Sequence, residues 1–182
     1  MKKFSVLALA SALLILGGCS RWEGVDNPTG PSTVSPKVFT DPSTVSVKNG
    51  DEFTLRVYIE NVEDLYYAAF YVVYDPQKVS YSSGAVGDFL KQNGATVSDL
   101  LVGGEISAGE GLVKRSFGIT RLDSTKGGAS GTGVLCTITF NTIATGATSV
   151  NFSSDPNDQG FRDVNDTDIQ ITIGNGTTVN IL

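Results

Sequence analysis

Apolar and polar residues alternate with a period of two along most of the chain after Lys37. The alternation is clearest from Phe53 to Ile59, where every second residue is a large apolar one. This pattern is typical of a strand with one buried face, and turn residues recur between such runs about every 8 to 12 residues. We therefore predict strands at 45–47, 53–59, 65–74, 79–81, 95–102, 112–121, 134–143, 149–152, 169–173 and 178–181.

Helical periodicity is nearly absent from the same region. Only residues 86–92 resemble a helix, of one or two turns at most, and the glycine-rich stretch 127–133 is predicted to be a loop. About nine or ten short strands with frequent turns are typical of a β-sandwich. The sequence therefore predicts an all-β domain over residues 37–182, most simply a jelly-roll sandwich.

The N-terminus has a different pattern, with two lysines followed by an apolar run from Phe4 to Leu16. The run is shorter than the about 20 residues that a membrane-spanning helix needs, so residues 1–18 are predicted to be a signal peptide. It ends in Leu-Gly-Gly-Cys19, which resembles the lipobox of bacterial lipoproteins, whose cysteine is acylated. The alternative is an ordinary secretory signal with an incidental cysteine.

Residues 19–36 contain three prolines among Gly, Ser, Thr and Asn and show no apolar periodicity. We predict an extended tether that links the acylated Cys19 to the domain. In diderm bacteria a residue other than Asp after the lipobox cysteine, here Ser20, usually directs a lipoprotein to the outer membrane. The predicted location is therefore the cell envelope, with the outer membrane expected in a diderm host.

Charge and composition argue against several classes of function. Removal of the signal peptide leaves 11 basic and 19 acidic residues, and such an acidic domain argues against nucleic acid as a partner. The chain has no histidine, the commonest general base and zinc ligand. Cys136 is the only cysteine besides Cys19, and its place in an apolar strand predicts a small buried side chain rather than a reactive thiol.

Several segments in order resemble the cohesin domain. They are an early turn and strand at 48–55, a polar corner at 60–62, an apolar strand ending in Tyr-Asp-Pro at 70–76, a Gly-initiated strand at 133–140 and a closing Asn-Gly strand at 175–181. The resemblance implies a nine-stranded jelly roll related to carbohydrate-binding modules. Cohesins bind dockerins, the calcium-loaded helical modules of polysaccharide-degrading enzymes, through one open sheet face.

The strand at 65–74 would lie in that open face. With Phe70 inward, its outward row would be Tyr67, Ala69, Tyr71 and Val73, which is apolar and aromatic. Exposed tyrosines often dominate binding surfaces, although a loop or another strand covering the row explains its composition equally well. In many dockerin-binding cohesins the row carries an acid or amide, whereas here the matching positions hold Tyr67 and Ala69.

One segment has part of the spacing of a calcium loop. The oxygen-bearing residues that would serve as ligands are Asp155, Asn157, Gln159, Asp163 and Asp166. No helices flank the segment, and Gln and Asp stand where such loops prefer other residues. A solvated, turn-rich connection is the favoured interpretation, and no other cofactor is predicted.

Four functions remain open at this point. The first is a non-catalytic, cohesin-like binding module on the envelope that recruits a dockerin-type protein or a polysaccharide. The second is a carbohydrate-binding module, for which Tyr67, Tyr71 and Tyr58 are candidates, although Tyr58 is expected on the opposite sheet. The third is an enzyme, disfavoured because the sequence shows no nucleophile and base together. The fourth is an adhesion or assembly subunit that reuses the fold.

Overall fold

The computed structural model describes residues 34–182, which are almost entirely strands arranged in two sheets. The signal peptide, Cys19 and nearly all of the tether lie outside the described residues. In the described part of the chain no helix is long and apolar enough to cross a bilayer.

The first sheet has five strands. Their order is β11 (Thr172–Ile173), β1 (Lys37–Asp41), β3 (Glu52–Leu65), β8 (Ala129–Thr142) and β5 (Val79–Val86). The second sheet has seven strands. Its order is β2 (Thr44–Val47), β12 (Thr177–Ile181), β9 (Gly146–Phe152), β4 (Tyr67–Tyr74), β7 (Leu112–Thr120) and β6 (Leu101–Gly109), with β10 (Gln159–Arg162) paired to β4. The predicted all-β jelly-roll sandwich is confirmed.

Alternation along β3 and β4 builds the core between the sheets. In β3, Leu55, Val57 and Ile59 are fully buried while the residues between them face outward. Aromatic rings join the two layers: the rings of Tyr74 on β4 and Phe140 on β8 meet edge to face, with their centroids 5.1 Å apart. Such pairs add to the free energy gained by burying apolar area.

Two of the twelve strands are missing from the prediction. β1 is short and bounded by Pro36 and Pro42, and β10 has the sequence Gln-Gly-Phe-Arg in a turn-rich segment. In both cases the run is too short for periodicity to distinguish it from a loop.

The predicted strand at 95–102 is wrong for most of its length. Only an isolated bridge between Val97 and Arg121 and the start of β6 fall within it. β6 continues to Gly109 as an exposed edge strand, so its sequence has no buried face to alternate. The strand predicted at 169–173 is likewise reduced to Thr172–Ile173.

Other strand boundaries differ from the predicted ones, in two cases because a strand continues through glycine. β8 begins at Ala129, so most of the predicted loop at 127–133 is strand, and β5 runs past Gly84 to Val86. The predicted strand at 65–74 is divided, since Leu65 ends β3 in one sheet and Tyr67 begins β4 in the other. The helix-like piece is a 3₁₀ segment at Phe89–Gly94 that is interrupted by a kink, since Gln92 and Asn93 have non-helical backbone angles.

Cys136 lies in a β-bulge that buries two consecutive residues of β8. Val57 pairs with Cys136 and Tyr58 with Val134, so Leu135 has no partner on β3. Leu135 and Cys136 are both buried, at 1% and 0% exposure. Burial raises the pKa of the Cys136 thiol to about 12, which matches the predicted unreactive side chain.

We expect Cys136 of the native chain to resist alkylation by iodoacetamide at pH 8, because the thiol is inaccessible and almost entirely protonated there. The same residue should react completely in guanidinium chloride. Mass spectrometry of the peptide containing Cys136 measures the modified fraction in each state. Equal modification rates in native and unfolded protein would contradict this burial.

The outward face of the seven-stranded sheet as a candidate binding site

Strand β4 divides its side chains between the core and the outward face. Its even-numbered residues from Ala68 to Tyr74 are at most 1% exposed. Its odd-numbered residues are partly exposed on the other side of the sheet; these are Tyr67, Ala69, Tyr71 and Val73. The structure therefore gives the outward row the orientation expected from the sequence, and Tyr58 lies on β3 in the opposite sheet. The row's role in binding stays a prediction.

The row lies inside the sheet rather than at its edge. β7 pairs along the whole of one side, so that Ala69 is opposite Gly118 and Tyr71 is opposite Ser116. On the other side β9 pairs with the end of β4 and β10 with its beginning. Both flanks therefore add residues to one continuous outward face.

β9 and β10 are separated by a short excursion away from β4. Phe152 pairs with Val72, and pairing resumes with Gln159 opposite Phe70. The intervening residues 153–158 include a 3₁₀ turn at Pro156–Asp158 that ends in a buried aspartate. The excursion brings the Asp158 carboxylate to the outward face, which the sequence pattern does not show.

Asp158 takes part in an ion pair that is nearly enclosed. Lys114 Nζ on β7 lies 2.7 Å from Asp158 Oδ1, and the hydroxyl of Ser153 also donates to this carboxylate. Only 19% of the Lys114 side chain and 10% of the Asp158 side chain are exposed. The ammonium group also lies 4.9 Å from the ring centre of Tyr71, within the range of a cation–π contact.

The surroundings change the pKa values of both partners. Burial alone would raise the pKa of Asp158, but the hydrogen bonds from Lys114 and Ser153 outweigh it, so the pKa lies below its ordinary value. The hydrogen bond to Asp158 raises the pKa of Lys114. Both groups are therefore charged at neutral pH, and the ion pair fixes the excursion against β7.

A groove of about 900 Å³ lies on this face. Its floor includes Ala69, Ser116, Gly118 and Gly160, and Tyr67 and Tyr71 also line it. Leu101 on β6, 61% exposed, lines it as well. Four charged side chains complete it, namely Asp158, Arg162, Asp163 and Asp166.

The candidate calcium ligands make local hydrogen bonds instead of converging. Asp155 accepts from Asn157 N, Gln159 Nε2 donates to Ser153 O, and Asp166 accepts from Arg162. Asp163 Oδ1 accepts from two backbone N–H groups of its own turn. Within residues 34–182, no three acidic, histidine or cysteine side chains gather closely enough to hold a metal ion.

A second polar network lies where β4, β6 and β7 meet. Arg115 faces the sandwich interior, donates 2.6 Å to Gly103 O and 3.1 Å to Glu105, and lies over the ring of Tyr81. Tyr74 donates to Glu105 over 2.6 Å. Burial and the hydrogen bond to Glu105 raise the pKa of Tyr74 to about 12. The same hydrogen bond lowers the pKa of Glu105. The hydrogen bonds of this network join β4, β6 and β7 within the seven-stranded sheet, and the contact of Arg115 with Tyr81 reaches β5 in the other sheet.

Comparison with known protein families agrees with the two-sheet fold described above. The family model described as Cohesin domain matches residues 38–181. No curated protein shows significant sequence similarity to the chain.

Solved structures share the fold at low sequence identity. A non-cellulosomal cohesin from Archaeoglobus fulgidus is 16% identical with a TM-score of 0.57, over 81% of this chain and 91% of that one. The sixth cohesin of scaffoldin B from Acetivibrio cellulolyticus, in complex with a Cel5 dockerin mutant, is 24% identical with a TM-score of 0.56, over 81% and 99%. A type I cohesin–dockerin complex from Clostridium thermocellum, Coh-OlpC with Doc435, shows 15% sequence identity and a TM-score of 0.58, over 81% of this chain and 95% of that one.

We expect the Lys114–Asp158 pair to stabilise the domain in a pH-dependent way. Because the folded-state pKa of Asp158 lies below its ordinary value of about 3.8, its stabilising effect is complete above that value and is lost as the pH falls through the folded-state pKa. Lys114→Met should lower Tm by several degrees at pH 7, and this difference should shrink as the pH falls below about 3.8 towards the lower folded-state pKa of Asp158.

Lys91→Met is the matched control, since Lys91 pairs with Asp88 on the exposed surface. It should leave Tm almost unchanged. Thermal unfolding monitored by circular dichroism from pH 3 to pH 8 measures both variants. A Lys114→Met effect that is constant across this range would show that the ion pair is not its cause.

Proposed function

Because the chain belongs to the cohesin family, we propose that its domain is a non-catalytic module that binds a dockerin-type protein module on the outward face of the seven-stranded sheet. The observation that carries the proposal is the partly exposed row Tyr67, Ala69, Tyr71 and Val73. Its first three residues line a groove together with Leu101. Tyrosines on a rigid sheet supply large contact area at little entropic cost, as binding surfaces require.

Related structures support this partner class. The cohesins from Acetivibrio cellulolyticus and Clostridium thermocellum are described in complex with dockerins, although the archaeal relative is described as non-cellulosomal. The acid or amide of many dockerin-binding cohesins is replaced here by Tyr67 and Ala69. The Lys114–Asp158 pair places charged groups beside Tyr71 instead. We infer a partner that relies more on apolar packing at the centre of the face.

The location of the protein is part of the same proposal. A lipid on Cys19 and a tether to residue 36 would hold the module at the cell envelope, at the outer membrane in a diderm host. Multiple acyl chains anchor a protein firmly, because each buried methylene contributes about 0.8 kcal/mol. The module would then retain polysaccharide-degrading enzymes at the cell surface through their dockerins.

A polysaccharide is the second candidate ligand, favoured by Tyr66, Tyr67 and Tyr71 along one groove. Planar aromatic rows on β-sandwiches bind sugar rings by stacking. Tyr58 lies on the opposite sheet and cannot contribute to this row.

Full-length protein solubilised from membranes should capture a dockerin-bearing protein from host extract in the presence of calcium and release it with chelator. Tyr71→Ala should abolish capture, because it removes a central aromatic contact. Tyr58→Ala on the opposite sheet is the control and should retain it. If instead no dockerin is captured and the chain is retained on insoluble polysaccharide through Tyr67 and Tyr71, the sugar-binding alternative replaces the proposal.

Cys19→Ser should abolish incorporation of an alkyne fatty acid and move the protein out of the membrane fraction. Cys136→Ala is the matched control, since Cys136 is buried in the domain core and should leave both properties unchanged. Gel fluorescence after click labelling, with immunoblots of the fractions, measures both. Labelling that persists in Cys19→Ser would contradict acylation at this residue.

A further inference from the structure

A fully buried arginine lies on the core side of the seven-stranded sheet, one residue beyond the end of β7. Arg121 is the largest of the fully buried side chains of residues 34–182, with 1% of its surface exposed. It continues the inward row of Phe117 and Ile119, which are also buried. Arginine stays protonated in proteins, so the interior of the sandwich contains a full positive charge.

The protein gives this guanidinium group one hydrogen bond. Nη2 of Arg121 donates to Gln92 O over 2.8 Å, whereas Nε and Nη1 are buried without an acceptor. Arg121 also belongs to none of the ion pairs among the described residues. A buried charge without a counter-charge and buried donors without acceptors both destabilise a fold strongly.

The acid and the amide that are closest to Arg121 in its own surroundings make other contacts. Asp123, two residues along the chain, accepts hydrogen bonds from the backbone N–H and the hydroxyl of Thr125. The side-chain amide of Gln92 exchanges two hydrogen bonds with the backbone of Ser130. The guanidinium group therefore requires a partner that these residues do not supply.

The segment that covers the guanidinium group is shaped around it. The 3₁₀ segment at 89–94 is kinked at Gln92, whose ψ of 147° is not helical, and the carbonyl at this kink accepts the hydrogen bond from Arg121. Phe89 and Leu90 of the same segment are at most 4% exposed. The positive charge is therefore enclosed beneath an apolar segment and shielded from bulk solvent.

We propose that the interior beneath residues 89–94 binds a small monovalent anion of the size of chloride, held by the guanidinium group of Arg121. An anion supplies both the missing acceptor and the missing counter-charge, whereas a water molecule supplies only an acceptor. The ion has to be small, because the site is closed to solvent. The inference does not depend on the proposed partner, since Arg121 faces the core and not the outward face of the sheet.

Thermal unfolding of the full chain in non-ionic detergent tests the stabilisation that such an ion provides. Sodium chloride is raised from about 1 to about 200 mM, while sodium gluconate, whose anion is too large for the site, keeps the ionic strength constant. Because the ion binds only the folded chain, Tm of the unaltered protein should rise by several degrees with chloride.

Two variants separate this site from general effects of salt. Arg121→Met removes the charge and retains much of the volume, so its Tm should not respond to chloride, and in gluconate it should equal or exceed that of the unaltered chain. Arg56→Met is the matched control, since Arg56 pairs with Asp41 on the surface, and its Tm should respond to chloride as the unaltered chain does.

Bromide gives the direct measurement, because anomalous diffraction locates this heavier halide. Crystals of the unaltered chain grown in sodium bromide should show an anomalous peak in contact with the Arg121 guanidinium group. The absence of a peak there would overturn the inference, and so would an equal response to chloride in Arg121→Met and the unaltered chain. If Arg121→Met does not fold, the bromide position decides alone.

Discussion

The register of β4 is the constraint on which both the core and the candidate binding face depend. Its even-numbered residues fill the space between the sheets, and its odd-numbered residues from Tyr67 to Val73 form the outward row. A slip of one residue would exchange the two sets and place tyrosines in the core. Pairing with β7 along eight residues, together with the two strands on the other flank, prevents this slip. The chemistry of the face is thus fixed by the same hydrogen bonds that hold the core.

The parts of the fold that follow from alternation were predictable from sequence. β3 shows strict alternation because one of its faces packs on the core and the other is exposed. β4 is apolar on both faces, and its orientation follows from placing Phe70 inward. β6 was not predictable, since it is an exposed edge strand without a buried face. The start of β8 was misassigned because its glycines are typical of a loop, although its pairing with β3 continues to Ala129 through bulges.

The candidate site also combines features that the sequence predicts with features that it does not. The outward orientation of Tyr67 and Tyr71 follows from their spacing relative to Phe70, a local property of one strand. The Lys114–Asp158 pair joins residues that are far apart in sequence, and Asp158 lies in a segment whose acidic residues indicate a turn or a calcium loop.

The excursion at 153–158 allows the outward face to change independently of the core. Phe152 and Gln159 lie opposite Val72 and Phe70, so the sheet resumes its register after the excursion. Exchanges at its exposed residues 154–157 would reshape one side of the groove without altering an inward-facing residue of β4. Recognition of a new partner could thus be introduced there while Ser153 and Asp158 keep the excursion fixed against β7.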